Sequence, residues 1–416
     1  MARQKSDKEK AKEAKRRQWF WDLSQIIIGK WIRPKFNLIL DDFEPADIEG
    51  PVLVAINHTC AYDPIFTGAA FKNKPLTFIA SEHIVRSKPW GPLLDKYVSL
   101  IPHQKGGKGS RTALVAMKRI KRGESIFLAV EGEQTWNGQS LPVMPFTGKL
   151  VKGSGATLVT YLFEGGYLSD PRWAMEPRRG KVHGRPVKVY TPAELKEMSD
   201  EEVEAAIAKD LWFDVWEWQK SQPGGPVEFR SKKGNAEGME RAVFSCPACG
   251  AFGTLKSARD NVSCSCGFKI RLADTGFFEP AEPFETILEW EKHDRRALTE
   301  RMNEMNNRQT ADPDDAANNL FSDDDVTLYR IKEDHEDEEA ARGKLALSFR
   351  DGSFILTIGG CSFDLKKITN MTMVLAARVV FSDESGYFEL RSDKGSKTNL
   401  RKYVIARDIL KETDKE

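Results

Sequence analysis

Short apolar runs alternate with amphipathic segments between residues 36 and 190. Each run has the length and apolar character of a strand. The runs cover 36–40, 52–56, 76–80, 125–130, 156–163 and 185–190. Residues 111–123 instead repeat apolar positions at helical spacing, and Gly123 fits the end of that helix. Strands that alternate with helices predict an α/β fold, a mixed sheet flanked by helices, with its functional site at the strand ends.

Two further helices are predicted after this sheet. Thr191 with Glu194, and Ser199 with Glu202, each match the sequence pattern of a capping box, which marks a helix start. A segment rich in Gly and Pro follows and predicts a linker. The expected boundaries are 36–221 for the first domain and 222–240 for the linker.

The first 35 residues, 1–35, combine a basic arm with an amphipathic helix. Residues 1–17 hold eight Lys or Arg against three acidic residues. Apolar side chains then recur at helical spacing until Pro34, where we expect the helix to end. They include Trp19, Leu23, Ile26 and Ile27. Such a helix fits either a membrane surface or a docking face on the core, and the sequence leaves both interpretations open.

Beyond residue 275 the pattern changes to a long charged helix and then to short strands. The helix is expected within 276–308, and the acidic segment 309–325 predicts a flexible linker because it has few apolar residues. Short strands separated by turn signals then lead to one final helix. This order predicts a β-rich domain over 326–416 with the outline of a pleckstrin-homology-like barrel.

Composition and charge narrow the classes of protein. The chain has 416 residues, enough for two or three domains, and its net charge of +1 argues against a polyanion-binding chain. No apolar run approaches the roughly 18 to 20 residues that span a bilayer, and the N-terminus does not resemble a signal peptide. Four of the six cysteines cluster. Since such clustering is typical of a metal site in a reducing compartment, we expect a cytoplasmic protein.

The stretch "INHTCAYDP" places His58 and Asp63 directly after the apolar run 52–56. A histidine can accept a proton near neutral pH, and a carboxylate on its other ring nitrogen fixes the tautomer. A turn that leads into a helix can bring these two side chains together. Spacing alone favours a surface histidine and a helix-capping aspartate, because a two-residue motif often occurs by chance.

Four ordered blocks make a more specific pattern. Asn57-His58 with Asp63-Pro64 resembles the first block, "N-H-x4-D", of the glycerophospholipid (1-acylglycerol-3-phosphate) acyltransferases. The stretches "IPHQKGGKGSRTAL", "VEGEQTWNG" and "PFTGKLVKGSGATLV" follow where that family has its second, third and fourth blocks. The resemblance covers about residues 36–220 and implies the mixed sheet of that acyltransferase fold.

The resemblance implies a direct acyl transfer from acyl-CoA or acyl-carrier protein to the hydroxyl of a lysophospholipid. His58 would deprotonate the acceptor and Asp63 would orient His58. The residues expected to bind the acceptor are Asn57, Lys105, Arg111, Glu131, Gly132 and Gln134. No covalent enzyme intermediate is implied, and Cys60 is expected to be a packing residue.

Two positions depart from the family pattern. Lys105 stands where the second block has an arginine, and Gln134 stands where the third block has one. Lysine keeps the charge but lacks the bidentate fork of arginine. Lys108, Arg111 and Lys149 could compensate, although each is also an ordinary surface charge. Acyl transfer is therefore predicted more firmly than a phosphate-bearing acceptor.

Residues 241–275 contain the cysteine cluster. Its four members, spaced C-x2-C-x14-C-x-C, are Cys246, Cys249, Cys264 and Cys266. Two short knuckles can supply four thiolates to one tetrahedral zinc, so we predict a small zinc ribbon with structural zinc; four free thiols are the alternative. No concentrated basic and aromatic face accompanies the cluster, so we expect no nucleic-acid partner and favour a protein-docking or folding module.

The sequence therefore predicts a cytoplasmic acyltransferase of phospholipid biosynthesis, peripheral on the inner face of a membrane. The alternative is an acyltransferase-like scaffold that has lost activity and recruits partners through its ribbon and tail domain. A third interpretation, motivated by Gln134, is an acyltransferase for an acceptor without phosphate.

Overall fold

The computed structural model describes residues 7–86, 90–103, 110–307, 318–332, 337–393 and 395–413. The chain divides into two compact units. Most residues up to Arg230 form the first unit, and Ser231–Glu416 together with Trp173–Glu176 belong to the second.

A seven-stranded sheet forms the centre of the first unit. Its strands are β1 (Leu38–Leu40), β2 (Val52–Ile56), β3 (Leu76–Ser81), β4 (Ser99–His103), β5 (Ser125–Ala129), β6 (Thr157–Glu164) and β7 (Val182–Tyr190). Their order across the sheet is β1-β7-β6-β2-β5-β3-β4. Strands β6, β2, β5, β3 and β4 are parallel, whereas β7 is antiparallel to β6 and β1 is parallel to β7. The mixed sheet predicted from the alternating pattern is confirmed.

Strand β2 lies in the middle of the sheet, and its side chains are buried on both faces. Val52, Val54 and Ile56 belong to one apolar cluster, and Leu53 and Ala55 belong to the other. A strand covered on both sides reads as a continuous apolar run, as "VLVAI" does. The residues that follow β2 therefore lie at the carboxyl ends of the parallel strands, near the middle of the sheet.

Helices cover both faces of this sheet. They are α1 (Asp7–Ile27), α2 (Arg33–Phe36), α3 (Asp63–Ala70), α4 (Glu82–Arg86), α5 (Trp90–Tyr97), α6 (Ser110–Ile120), α7 (Thr147–Ser154), α8 (Gly166–Ser169), α9 (Pro192–Glu197), α10 (Asp200–Leu211) and α11 (Val215–Lys220). Both predicted capping boxes are present: Thr191 and Glu194 start α9, and Ser199 and Glu202 start α10.

The N-terminal helix continues beyond the predicted stop. A π-helical stretch, Ile28–Ile32, joins α1 to α2, and Pro34 lies in the first turn of α2. The prediction that Pro34 ends the helix is wrong, because the helical path continues to Phe36; the π-helical stretch directly before the proline is a local adjustment of the kind that accommodates its missing backbone N–H. On one side the segment docks on the core, where Trp21 Nε1 donates to the Lys72 carbonyl at 2.9 Å.

Strand β4 was not among the predicted strands. Its segment "SLIPH" contains Pro102, which cannot donate a backbone hydrogen bond and weakens a strand prediction. β4 is the edge strand of the sheet, where one row of backbone groups has no neighbouring strand. An edge position accommodates the proline, and the sequence alone does not say which strand lies there.

The second unit contains two antiparallel sheets. The smaller one has the order β11-β10-β9-β8 and is followed by helix α12 (Ile287–Asn306). Its strands are β8 (Leu255–Ala258), β9 (Asn261–Cys264), β10 (Lys269–Leu272) and β11 (Phe278–Glu279). The larger sheet consists of β12 (Asn319–Ile331), β13 (Asp337–Arg350), β14 (Ser353–Ile358), β15 (Cys361–Asp364), β16 (Asn370–Val374), β17 (Arg378–Asp383) and β18 (Gly386–Ser392). Helix α13 (Arg401–Thr413) follows β18, so a β-rich C-terminal region with a final helix is present.

The predicted flexible linker 309–325 is partly wrong. Its first part, through residue 317, lies outside the described residues, but β12 begins at Asn319. Leu320 and Phe321 are buried there, and the Asp323 carboxylate lies 2.7 Å from Lys402 Nζ. The acidic run was predicted to be flexible because its pairing partner, Lys402, lies about 80 residues away along the chain and is not part of the local pattern.

Candidate active site at the carboxyl end of β2

The loop between β2 and α3 carries the predicted histidine and aspartate. The Nδ1 atom of His58 lies 2.8 Å from Oδ2 of Asp63. Asp63 is the first residue of α3, and Pro64 follows it in the first turn. The loop therefore folds back on itself, as expected for a turn that leads into a helix.

Asp63 is fully buried and held by several donors. The backbone N–H of Thr59 donates to Oδ2 at 2.7 Å, and that of Cys60 donates to the same oxygen at 3.0 Å. The hydroxyl of Thr59 donates to Oδ1 at 2.7 Å. These donors stabilise negative charge on the carboxylate and fix its orientation towards His58.

His58 is the partly exposed member of the pair. Its side chain is 19% exposed, whereas that of Asp63 is 0% exposed. Among the described residues, none makes a hydrogen bond to Nε2 of His58, while Nδ1 faces Asp63. With a proton on Nδ1, the lone pair on Nε2 can accept a proton from a bound molecule.

Glu131 fixes the backbone of the same loop. It follows β5, the parallel neighbour of β2. Its Oε1 accepts from the His58 N–H at 3.0 Å, and its Oε2 accepts from the Leu141 N–H at 2.9 Å. Burial raises the pKa of this carboxyl from 4.5 to about 8. Both oxygens therefore hold backbone groups of this region, and the contact between Glu131 and the acceptor stays a prediction.

Asn57 is also used inside the protein. Its Nδ2 donates to the Phe163 carbonyl at 2.9 Å, and its Oδ1 accepts from the Phe163 N–H at 2.8 Å. The side chain thus joins the end of β2 to the end of β6. Both polar atoms of Asn57 thus position the strand ends, and its contact with the acceptor stays a prediction.

Gly132 allows the turn after Glu131. Its φ of +68° lies in the left-handed region, where glycine is favoured. A Cβ atom there would lie 2.4 Å from Sδ of Met144, too close for contact without movement. Three residues further, the N–H of Thr135 donates to the His58 carbonyl at 3.1 Å. The third sequence block is therefore a support for the His58 loop.

The thiol of Cys60 is not arranged as a nucleophile. Cys60 is completely buried, and burial, together with the nearby Asp63 carboxylate, raises the pKa of its thiol well above the usual range. Because the thiolate is the reactive form, such a thiol is inert. This agrees with the expectation that Cys60 is a packing residue.

A small cavity lies beside His58. Its volume is about 10 Å³, and its walls include Glu131, Thr135, Ser140 and Phe213. A space of this size holds about one water molecule. An acyl chain therefore does not occupy this cavity.

Residues 37–163 match the model of the family Acyltransferase. The matched segment runs from β1 to the end of β6 and contains His58, Asp63, Glu131 and Gly132. The match supports acyl transfer as the chemistry of this segment.

Solved structures are also similar to this chain. One of them is the crystal structure of the 1-acyl-sn-glycerophosphate (LPA) acyltransferase PlsC from Thermotoga maritima, with 18% sequence identity and a TM-score of 0.43. The alignment covers 52% of this chain and 85% of that chain. Among curated proteins, none matches this chain.

The remaining predicted acceptor residues and the nearby basic residues are partly or fully exposed, or lie outside the described residues. Gln134 is half-buried, and Arg111 and Lys149 are exposed, on α6 and α7. Lys105 and Lys108 lie outside the described residues. The structure therefore brings together His58, Asp63 and the third block. The predicted acceptor residue Lys105 of the second block lies outside the described residues.

Arg172 is a residue that sequence reasoning missed. Its side chain is 4% exposed and pairs with Glu133, and its Nη1 also lies 3.4 Å from the Gln134 carbonyl oxygen. The guanidinium stacks over the Trp136 ring at 4.7 Å. A positive charge thus reaches the third block from a segment about 40 residues away. The signal in the sequence is the stretch 165–184, which is rich in arginine and aromatic residues, but it does not identify which arginine approaches the third block.

Asp170 approaches the His58 loop from the same segment. Its Oδ2 accepts from the Ala61 N–H at 3.4 Å, between His58 and Asp63 in sequence. Burial raises the pKa of Asp170 to about 6. No local pattern in the sequence pointed to this contact.

The predicted metal residues converge in the second unit. The four Sγ atoms of the cysteine cluster lie within 4.8 Å of one another. They belong to Cys246, Cys249, Cys264 and Cys266. These four thiols can bind a metal ion, whereas the His58 loop offers a histidine that can accept a proton.

Proposed function

We propose that this protein transfers a fatty acyl chain from an acyl thioester to the hydroxyl of a lysophospholipid such as 1-acylglycerol-3-phosphate, as in phospholipid biosynthesis. The donor is acyl-CoA or acyl-carrier protein. One observation carries the proposal: the 2.8 Å contact between His58 and Asp63 at the end of the central strand, inside the segment that matches the family Acyltransferase.

His58 serves as the general base. Its Nε2 removes the proton from the acceptor hydroxyl while the oxygen attacks the thioester carbonyl carbon. Asp63 keeps the other ring nitrogen protonated and stabilises the imidazolium that forms. The carbon–sulfur bond then breaks, and the leaving thiolate takes the proton from His58. The products are an ester and a free thiol, and the enzyme is unchanged.

The rigid loop contributes by holding the base in place. Asp63 is fixed by Thr59 and Cys60, and the His58 backbone is fixed by Glu131 and Thr135. A base that is already oriented loses little conformational entropy when substrate binds. The thioester is an activated donor, so positioning and proton removal supply the remaining catalysis.

Arg172 is our candidate for attracting an anionic acceptor. Its Nη1 lies 3.4 Å from the Gln134 backbone carbonyl oxygen, next to the uncharged position of the third block. The Glu133 carboxylate pairs with the same guanidinium and offsets part of its positive charge. The acceptor profile tests whether the remaining charge selects a phosphate-bearing acceptor.

A peripheral membrane location fits the exposed face of the N-terminal helix. Large apolar side chains remain exposed on the side of the segment that does not dock. They are Trp19, Leu23, Ile26, Ile27 and Trp31. Exposed cations lie beside them at Lys30, Arg33 and Lys35, which suits an anionic lipid surface.

This membrane location also gives the acyl chain a place. In the described residues, no helix is both long enough and apolar enough to cross a bilayer. We propose that the N-terminal segment lies on the cytoplasmic surface of a membrane, and that the lipid substrates reach His58 with their acyl chains outside the small cavity beside it.

The proposed function is tested with the purified full chain. Acyl-CoA or acyl-carrier protein is mixed with a panel of lysolipids, and released thiol and acylated product are measured by absorbance and mass spectrometry. We expect thiol release that depends on lysophosphatidate. Product with a neutral glycolipid instead would overturn the phosphate acceptor. No release with any lysolipid would overturn acyl transfer and favour the scaffold.

A further inference from the structure

Four cysteine sulfurs of the second unit have the spacing of a tetrahedral metal site. Sγ of Cys246 lies 3.7 Å from that of Cys266, and Sγ of Cys249 lies 3.9 Å from that of Cys264. All four lie within 4.8 Å of one another. A zinc ion with four thiolates at about 2.3 Å separates neighbouring sulfurs by about 3.8 Å. Two of the observed sulfur–sulfur distances match this geometry, and the remaining ones do not exceed 4.8 Å.

Disulfide pairing does not explain the cluster. Bonded sulfurs lie about 2.05 Å apart, well below the distances observed here. All four cysteines are free, and so are Cys60 and Cys361, which lie elsewhere. In the part of the chain that the structure describes, no other group of three or more His, Cys, Asp or Glu side chains converges in this way.

The backbone of both knuckles is shaped around the sulfurs. Gly250 and Gly267 each follow the second cysteine of a pair and have φ of +68° and +98°. The Gly250 N–H donates to the Cys246 carbonyl at 2.8 Å, and the Gly267 N–H donates to the Cys264 carbonyl at 3.1 Å. The second knuckle is one residue shorter, and its turn is correspondingly tighter. Both turns need the left-handed conformation that glycine adopts readily.

The ribbon surrounds one tryptophan of helix α12. Trp290 is completely buried, and its Nε1 donates to the Ser245 carbonyl at 2.9 Å. Phe268 and Phe278 pack against its ring at 5.8 and 5.4 Å. A module with so small an apolar core usually needs a metal or disulfide for stability.

A buried carboxylate fixes the segment before the first cysteine. Asp294, also on α12, accepts from the N–H groups of Phe244 and Ser245 at 2.9 and 3.0 Å. Cys246 follows directly in sequence. The ribbon is therefore held to α12 at this point and closed upon itself at the sulfurs.

We propose that Cys246, Cys249, Cys264 and Cys266 bind one structural zinc ion that closes the ribbon around Trp290. Four thiolates fill a tetrahedral shell, so the ion has no open position for a substrate. Its role is to stabilise the ribbon and helix α12 as one module. The proposal does not depend on acyl transfer.

Metal content tests the proposal directly. The full chain is purified without added metal, dialysed, and analysed by inductively coupled plasma mass spectrometry. We expect about one zinc per chain in the wild type and in Cys361→Ser, a control at a cysteine outside the cluster, and loss of zinc in Cys264→Ser. A chain without metal would overturn the proposal. Iron with visible absorption would overturn the choice of zinc, because four thiolates also suit iron.

Alkylation of the wild-type cysteines is a second test, which does not require Cys264→Ser to fold. Cys249 and Cys266 are exposed, so their thiols would react quickly if no metal were bound. We expect mass spectrometry to find them protected from iodoacetamide in the native chain and modified after a zinc chelator is added. Rapid modification without chelator would contradict the zinc site.

Discussion

Two histidines of the first unit contact carboxylates, and their ring nitrogens are used differently. His58 faces Asp63 through Nδ1 alone, at 2.8 Å. His183 faces Asp41 through Nε2 at 2.7 Å and Glu164 through Nδ1 at 3.1 Å. Their side chains are similarly exposed, 19% and 22%, so exposure does not separate them.

The difference shows what a histidine–carboxylate pair needs in order to act as a base. His183 has a carboxylate oxygen at each nitrogen, so neither nitrogen is available to a substrate. His58 has one nitrogen fixed by a buried aspartate, and that aspartate is itself held by backbone N–H groups. The pair is the common feature, and the remaining nitrogen of His58 is the one that we propose acts as the base.

The largest expected difference between the two histidines is in the rate of acyl transfer after the charge of the partner aspartate is removed. We expect Asp63→Asn to lower the rate of acyl transfer by about a hundredfold to ten thousandfold, because asparagine no longer fixes the tautomer or stabilises the imidazolium. Asp41→Asn, at the half-exposed partner of His183, should leave the rate within about twofold of the wild type. Steady-state kinetics checks both, and equal effects would remove the distinction.

The turn that supports His58 can be tested with a matched pair of glycines. Gly132 and Gly123 both have positive φ, but a Cβ atom would meet Met144 at Gly132 and open space at Gly123. Alanine at either position carries the backbone strain of about 1–2 kcal/mol. We expect Gly132→Ala to lower the free energy of unfolding by about 1–3 kcal/mol more than Gly123→Ala. Equal losses in denaturant unfolding would contradict the close contact.

Glu131 links the support of His58 to pH. Burial raises its pKa from 4.5 to about 8, so between these values the folded chain binds more protons than the unfolded chain. The free energy of unfolding of the wild type should therefore fall as pH rises through this window. Glutamine does not titrate, so the stability of the wild type relative to Glu131→Gln should decline from pH 4.5 to about 8. Urea unfolding at several pH values measures this, and a constant difference would contradict the raised pKa.

Membrane contact has the smallest expected effect and concerns how substrate reaches His58. Trp31 and Trp212 are exposed by 72% and 55%, but only Trp31 lies on the N-terminal segment. We expect Trp31→Ser to weaken binding to phosphatidylglycerol vesicles about tenfold, because an exposed indole inserts at the interface. Trp212→Ser should leave vesicle sedimentation unchanged. Equal weakening by both variants would remove the N-terminal face as the contact.

Short-range patterns in the sequence predicted the frame of the site. The run "VLVAI" gave the central strand, the capping boxes gave α9 and α10, and the spacing of His58 and Asp63 gave the turn into α3. These features depend on residues within a few positions of one another. Local chemistry therefore suffices to predict them.

Contacts between distant segments could not be read in the same way. Arg172 reaches Gln134 across 38 residues, and Glu131 holds His58 across 73. Pro102 weakened the prediction of strand β4, because proline fits a strand where its missing N–H is not needed, as at the edge of a sheet. The sequence does not show which strand lies at that edge. In each case the missing information is which segments become neighbours when the sheet forms.

The decisive measurement compares the two histidines themselves. Purified His58→Ala and His183→Ala are assayed for acyl transfer to lysophosphatidate, with thermal unfolding as the check on folding. General-base removal by His58 predicts a loss of about a hundredfold or more in kcat for His58→Ala at an unfolding temperature close to that of the wild type, with His183→Ala retaining its rate. A folded His58→Ala variant that transfers the acyl chain as fast as the wild type would contradict the assignment.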